Sequence, residues 1–173
     1  MRRALEKDAD MLNVLHSVEQ ALPVLLRDEA VWKSVFVNYH PPFVERLWCE
    51  WFGYRIYLHR IYPCGVGEAL FHPHPWPSAM KVLLGNYEMA IGHGTGDSEP
   101  LIAATLLLGE GSEYEMIDQH SWHSVRPIGE PTMSLMVTGK PWNRSAPKSD
   151  KPLAPLSDGK AEEILQFFRS KYK

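Results

Sequence analysis

Leu5, Ala9, Leu12, Leu15, Val18, Leu22 and Leu25 recur at steps of three and four. That spacing predicts an amphipathic helix over residues 3 to about 22. Pro23 is expected to end or restart it, and a second helical piece is expected through LLRDEAVWKSV. From residue 43 to 139 the pattern changes to short runs rich in Val, Ile, Leu, Tyr and Phe, separated by glycine-bearing turns. Strands are expected near 43–51, 54–62, 67–72, 80–85, 86–92, 101–108, 113–117, 122–127 and 132–138. FGY, GHGTGDSEP and LGEGSE supply turns. A final helix is expected from about residue 159, capped by Asp158, with Ala161, Ile164, Leu165, Phe168 and Tyr172 as its apolar stripe.

The organisation that follows is a helical segment over 1–35, a barrel over 36–140, and a proline-rich surface connection with the last helix over 141–173. Eight or nine short strands predict a mainly β sandwich or barrel, with the helices packed outside it or on a partner. The chain of 173 residues is 45% hydrophobic, enough for one domain with a core. A net charge of −3 with scattered Lys and Arg argues against a nucleic-acid groove. The charged start MRRALEKDADML does not read as a secretory signal, and no apolar run approaches the ~20 residues of a membrane helix. Cys49 and Cys64 form no disulfide framework or metal-type spacing. The expectation is a soluble, cytoplasmic protein.

Candidate chemistry begins at FHPHPWP, residues 71–77, where His72, His74 and Trp76 each precede a proline. Residues before proline are pushed into extended geometry, and proline has no N–H for a sheet ladder. If the segment is β-extended, His72 and His74 point to one side. If it is polyproline II, they do not. A later stretch, MIDQHSWHSVRP, adds His120 and His123. Two ligands at alternate positions and a third from a distant strand can cap one face of a metal and leave positions open for substrate.

The order of these features resembles the cupin superfamily, whose first motif is G-x5-H-x-H-x3–4-E-x6-G. His72 and His74 fill its histidines, Gly85 its closing glycine, and Gly65 and Gly67 bracket its opening one. Ser78 stands where the motif has glutamate. GSEYEMIDQHSWHSVRP loosely matches the second motif, with His123 as its histidine and Gly111 one residue off its glycine. The resemblance covers roughly residues 53 to 139 and implies a double-stranded β-helix, or jelly-roll barrel, with His72, His74 and His123 directed inward onto a metal. Fe(II) is the expected ion, with Zn, Ni or Mn as other choices for imidazole ligands.

Some cupins use three histidines and no carboxylate, among them the thiol dioxygenases similar to cysteine dioxygenase. KVLLGNYE, HSV and TMSLMVTGKPW resemble that group. Ser134 keeps the serine of the family's Ser-x-His-x-Tyr strand, whereas Met136 and Thr138 replace its histidine and tyrosine. Arg55, Tyr57 and His59 alternate on one face of YRIYLHR and offer an anion anchor, an acid and a base if that face is inward. If it is outward, Ile56 and Leu58 fill the core. His120 is placed beside the site. Tyr57, His59 and His120 are thus the catalytic candidates, and Arg55, Trp76, Ser134 and Thr138 the substrate contacts, with Trp76 and Trp122 as apolar walls of the mouth. Glu68, Glu88, Glu115 and Asp118 are the acids near enough to replace the missing carboxylate. The expected function is a metal-binding cupin acting as a non-haem Fe(II) dioxygenase on a small anionic substrate with O2. The alternatives are a non-catalytic small-ligand binder and a Zn- or Mn-dependent isomerase or hydrolase. A homodimer is considered, with no nucleic-acid or membrane partner.

Overall fold

The computed structural model describes residues 10–96 and 98–173. Ten strands and two helices follow one another in the order α1 (Met11–Leu25), β1 (Lys33–Val37), β2 (Val44–Trp51), β3 (Tyr54–Ile61), β4 (His72–Pro73), β5 (Ser78–Leu84), β6 (Tyr87–His93), β7 (Ile102–Leu108), β8 (Glu113–Met116), β9 (Ser121–Pro127), β10 (Thr132–Thr138) and α2 (Asp158–Lys171). The strands form two sheets, β1-β2-β3-β10-β5-β8 and β4-β9-β6-β7. From β3 onward the pairs are nested: β3 with β10, β4 with β9, β5 with β8 and β6 with β7, all antiparallel. A long hairpin rolled up so that its arms change sheets together gives this order, and it is the double-sheet jelly roll of the cupin-like kind.

Local chemistry explains the turns. Phe52 and Gly53 have φ of 47° and 86°, which a two-residue hairpin between β2 and β3 requires. Gly85 has φ of 81°, and a Cβ there would meet the Pro131 carbonyl oxygen and Thr132 at 3.2 Å. The closing glycine of the first motif is therefore needed for both its backbone angle and its space.

Both faces of the larger sheet are buried. Ile56 and Leu58 of β3, and Leu135 and Val137 of β10, face outward under the helices. There they meet Leu15, Val18 and Leu22 of α1 and Ile164, Leu165 and Phe168 of α2. Full burial of each such side chain contributes about 1.5–3 kcal/mol. The inner faces of the two sheets, with Tyr57, Met80 and Met136 from the larger and Tyr87 and Met89 from β6 of the smaller, fill the barrel. An ion-pair cluster also fastens α2. Glu45, fully covered, receives the Arg60 Nε–H at 2.6 Å and the ammonium of Lys160, and Arg60 also reaches Glu163 at 2.8 Å.

Several expectations need correction. The helical reading of LLRDEAVWKSV fails: α1 ends at Leu25, a single 3-10 turn spans Glu29–Val31, and Lys33–Val37 pairs with β2 as a strand. Pro23 lies inside the last turn of α1, which runs on through two further residues and ends at Leu25. The strand expected at 67–72 shrinks to His72–Pro73. Ser157, not Asp158, occupies the N-cap of α2 and makes no side-chain cap bond. Leu5 and Ala9 of the first helical stripe lie outside the described residues.

Candidate metal centre

The FHPHPWP segment is extended and seated on β9. His72 is registered opposite His123, and the His74 N–H donates to the Ser121 carbonyl at 3.2 Å. Alternation then directs both histidines to the side that His123 occupies. The prolines cost no pairing here, because their carbonyls are used instead: Pro75 accepts from the Trp142 N–H and Pro77 from the Gly139 N–H, each at 2.8 Å. The backbone around the two histidines is thus fixed from both edges.

His123 is the shared neighbour. Its ring centre lies 4.8 Å from that of His72 and 4.8 Å from that of His74. Two imidazoles bound through Nε2 to one ion at about 2.0–2.1 Å, at angles of about 90–110°, have ring centres about 4.6–5.3 Å apart. Both pairs fall in that range. The donor atoms of the trio are not all within 4.8 Å of one another; closing the set needs turning of the imidazole rings, a soft torsion.

Hydrogen bonding prepares two of the rings as ligands. His72 Nδ1 lies 2.9 Å from the Leu70 carbonyl oxygen, and His74 Nδ1 lies 2.9 Å from that of Trp76. A carbonyl only accepts, so each Nδ1 carries the proton and each Nε2 keeps its lone pair for a metal. His123 Nδ1 is buried without a partner, an orphaned polar atom of the kind a bound ion resolves. Burial lowers the pKa of all three, that of His74 to about 4, so the imidazoles stay neutral and metal-competent at neutral pH. Ser78, in place of the motif's glutamate, sits with Oγ 3.2 Å from His74 Nδ1 and supports the ring instead of adding a charge.

The three histidines line a cavity of about 280 Å³ shared with Arg46, His59, Met80, Trp76, Val125 and Met136, among others. Among the described residues, no Asp or Glu lines it. The four suspected acids are engaged elsewhere. Glu68 accepts from the Gly65 N–H, Glu115 from the Leu12 N–H, Glu88 pairs with Arg126, and Asp118 accepts from the His120 N–H. Arg46 therefore brings a positive charge with no carboxylate in the cavity. Its guanidinium lies 4.9 Å from the Tyr57 ring centre, and its Nε is buried with no hydrogen-bond partner.

The Arg55–Tyr57–His59 face looks into the barrel, yet its members part ways. His59 is 2% exposed, and neither ring nitrogen has a partner. Burial, then the nearby Arg46 charge, holds its pKa well below the ordinary value. Ser134 stands opposite it on β10 with Oγ also buried and unpartnered. Tyr57 is buried beneath Arg46 and borders a second depression, of about 270 Å³, together with Trp76, Thr138 and Arg55. Trp76 borders both spaces, with its Nε1 buried and unpartnered.

Six assignments from the sequence do not line the histidine cavity: Tyr57 and Thr138 border the second depression instead, Ser134 borders neither space, and Arg55, His120 and Trp122 lie away from it. Arg55 is at the open end of β3, half exposed, 3.7 Å from Glu50 and stacked over Trp48. His120 lies on the surface turn before β9, beside His93 and Gln119. Trp122 has the strand parity opposite to His123 and packs on Phe71 outside the sheet. Conversely, the sequence reading passed over Arg46 and assigned His40 no role. The His40 ring is 6.4 Å from His72 at the cavity wall. The available signal for Arg46 was its alternation with Val44 and Trp48 in VERLW. The connection after β10 also does more than cross the surface: Ala146, Pro147 and Leu153 close one side of the cavity, and the Tyr39 hydroxyl donates to the Pro147 carbonyl at 3.1 Å.

A second cluster, His16, Glu19 and Glu113, has its donor atoms within 4.8 Å of one another. The Lys81 ammonium already bridges Glu19 and Glu113 at 2.8 and 2.9 Å, which supplies their positive partner.

No family model matches the chain, and no curated protein matches it. Solved structures similar to it include Fe(II) HppE, at 13% identity and a TM-score of 0.48, covering 61% of this chain and 55% of that one. Hydroxypropylphosphonic acid epoxidase from S. wedmorenis aligns at 13% identity and a TM-score of 0.47, with the same coverage. A putative sugar phosphate isomerase from Acidithiobacillus ferrooxidans aligns at 17% identity and a TM-score of 0.42, covering 56% of this chain and 60% of that one. The chain thus spans little more than half the length of these proteins, and its jelly-roll assignment rests on its own nested strand pairs.

Proposed function

We propose that this chain is a metal-binding cupin that works as a non-haem Fe(II) dioxygenase on a small anionic organic substrate. The observation that carries the reading is one cavity that holds His72, His74 and His123 together with the carboxylate-free Arg46. His72 and His74 would hold the ion through Nε2, and His123 through whichever nitrogen turns toward it. An Fe(II) ion so held supplies O2 activation and open positions for a chelating substrate.

The chain's own residues then have distinct tasks. Arg46 binds the anionic end of the substrate, and the Tyr57 ring beneath it keeps the guanidinium in place. His59, neutral and unpartnered, accepts a proton from the substrate or returns one to it. The Ser134 hydroxyl, registered opposite His59 on β10, supports that residue from behind the cavity wall. Met80, Met136, Trp76 and Val125 exclude water and so strengthen each of these charges. Three neutral imidazoles and a divalent ion leave a site charge near +2, which favours an anion at the metal as well as at Arg46.

Cysteine itself is a poor fit within this reading. Met136 and Thr138 replace the imidazole and phenol of the cysteine dioxygenase pattern, and neither transfers a proton in their place. The test is oxygen uptake by iron-supplied protein against a panel of thiols, diketones and amino acids. Saturable uptake with an anionic member, lost in Arg46→Leu, is expected. Bound iron with no uptake for any member would favour a non-catalytic binding protein.

A further inference from the structure

The two sheets present four edges among the described residues, and three are closed to further pairing. β4 is two residues long and carries a proline. β8 is four residues long and carries Glu113 and Glu115. β1 is covered by the chain before α2: the Phe36 N–H donates to the Ala154 carbonyl at 2.9 Å and the Leu156 N–H to Ser34 Oγ at 3.0 Å. Short length, charge, proline and cover are the usual means of keeping an edge from recruiting another strand.

β7 has none of them. Its sequence, IAATLLL, contains no charge, proline or glycine, and it is hydrogen-bonded to β6 on one side alone. Leu101 just before it is 91% exposed, Ile102 55% and Leu107 71%. Leu106 and Leu108 are registered against Met89 and Tyr87, whose side chains fill the barrel, so Leu107 stands on the outer face. A seven-residue, uncharged, apolar strand with one free hydrogen-bonding edge among the described residues is a template for pairing with another strand.

We propose that β7 pairs antiparallel with β7 of a second copy of this chain, about a two-fold axis at Thr105. The sequence is self-complementary about that residue. Ala103 and Ala104 precede it and Leu106 and Leu107 follow it, so this register sets Ala104 against Leu106 and Ala103 against Leu107, small against large on each face. Thr105 meets its own copy. Glu110 then falls opposite Pro100, already paired with Lys171 at 2.9 Å, so the ends of the interface do not oppose the pairing. The contact is isologous and closes at two copies, joining two four-stranded sheets into one of eight. A single strand pair lies at the small end of stable interfaces, below about 1,200 Å² in total, so association belongs in the micromolar range.

The experiment is sedimentation velocity of the full chain across micromolar concentrations. Twice the monomer mass is expected, and Leu107→Lys, at an exposed position, should halve it without changing the circular dichroism spectrum. Thr105→Cys, in a Cys64→Ser background, is the second arm. Residues paired across antiparallel strands have Cα atoms about 4.5–5.5 Å apart, within disulfide reach. It should link covalently to a dimer under mild oxidation, whereas Ala103→Cys, which faces Leu107, should not. A wild-type monomer throughout, a dimer that survives Leu107→Lys, or a Thr105→Cys chain that fails to link would each overturn the proposal.

Discussion

Arg46 stands directly across the β2–β3 pair from His59, so a cation and a neutral imidazole, both with unpartnered buried nitrogens, share one wall of the cavity. Burying such a charge without a carboxylate costs stability, and a fold that keeps it is using it. Arg46→Met should therefore raise the stability of the metal-free protein, by on the order of 1 kcal/mol, while weakening anion binding. A charge-assisted hydrogen bond of about 1.5–3 kcal/mol corresponds to about 10- to 100-fold in affinity. Azide titration of the iron protein, beside a thermal melt of the apo protein, reads both changes. Loss of stability together with unchanged azide affinity would show Arg46 to be a scaffold residue.

His59 gives a pH signature. Its folded pKa lies well below the ordinary value, so in the window below about 6.5 the unfolded chain binds the proton and the folded chain does not. Stability is complete above that window and falls as pH drops through it, by up to about 1.4 kcal/mol per pH unit for one such group. The melting temperature of the apo protein should fall between pH 7 and pH 5. His59→Phe should make that slope shallower.

The cluster around Glu45 makes a prediction about the scaffold. Burial opposes the Glu45 charge, but Lys160 and Arg60 outweigh it and hold the carboxyl below the usual range. Glu45→Ala removes both contacts. Arg60 keeps Glu163, and Lys160 is half exposed, so the released charges remain solvated. The expected loss is about 1–3 kcal/mol, measured by urea unfolding, and it should be accompanied by loosening of α2 in hydrogen exchange.

How far the sequence carried the fold is best seen in β3. Alternation marked Arg55, Tyr57 and His59 as one face and Ile56 and Leu58 as the other, but period two does not say which is inside. Both are buried here, because helices cover the outer face. The same double burial hid Arg46, whose neighbours on both sides of VERLW are apolar or paired. β1 was missed because its residues follow directly on a stretch of helix-forming residues, and only pairing with β2 decides its conformation. The convergence of His72, His74 and His123 was legible for the opposite reason: His-Pro-His-Pro restricts the backbone so strongly that side-chain direction follows from local sterics once a pairing partner is present.

The cysteine dioxygenase resemblance makes a negative prediction. Met136 faces the histidine cavity and Thr138 the second depression, where the resembling strand has histidine and tyrosine. L-Cysteine should give no saturable oxygen consumption with the iron-loaded protein. A saturable response in an oxygen electrode would restore the closer relationship.

The metal content of the histidine variants tests the central claim most directly. Protein made in iron-supplemented medium should carry close to one ion per chain by elemental analysis. His72→Ala, His74→Ala and His123→Ala should each lose most of it, because removing one of three ligands leaves an incomplete face on the ion. His16→Ala, at the cluster already neutralised by Lys81, should keep it. Full metal content in the His72→Ala and His123→Ala proteins, or its loss in His16→Ala, would place the site elsewhere and contradict the account.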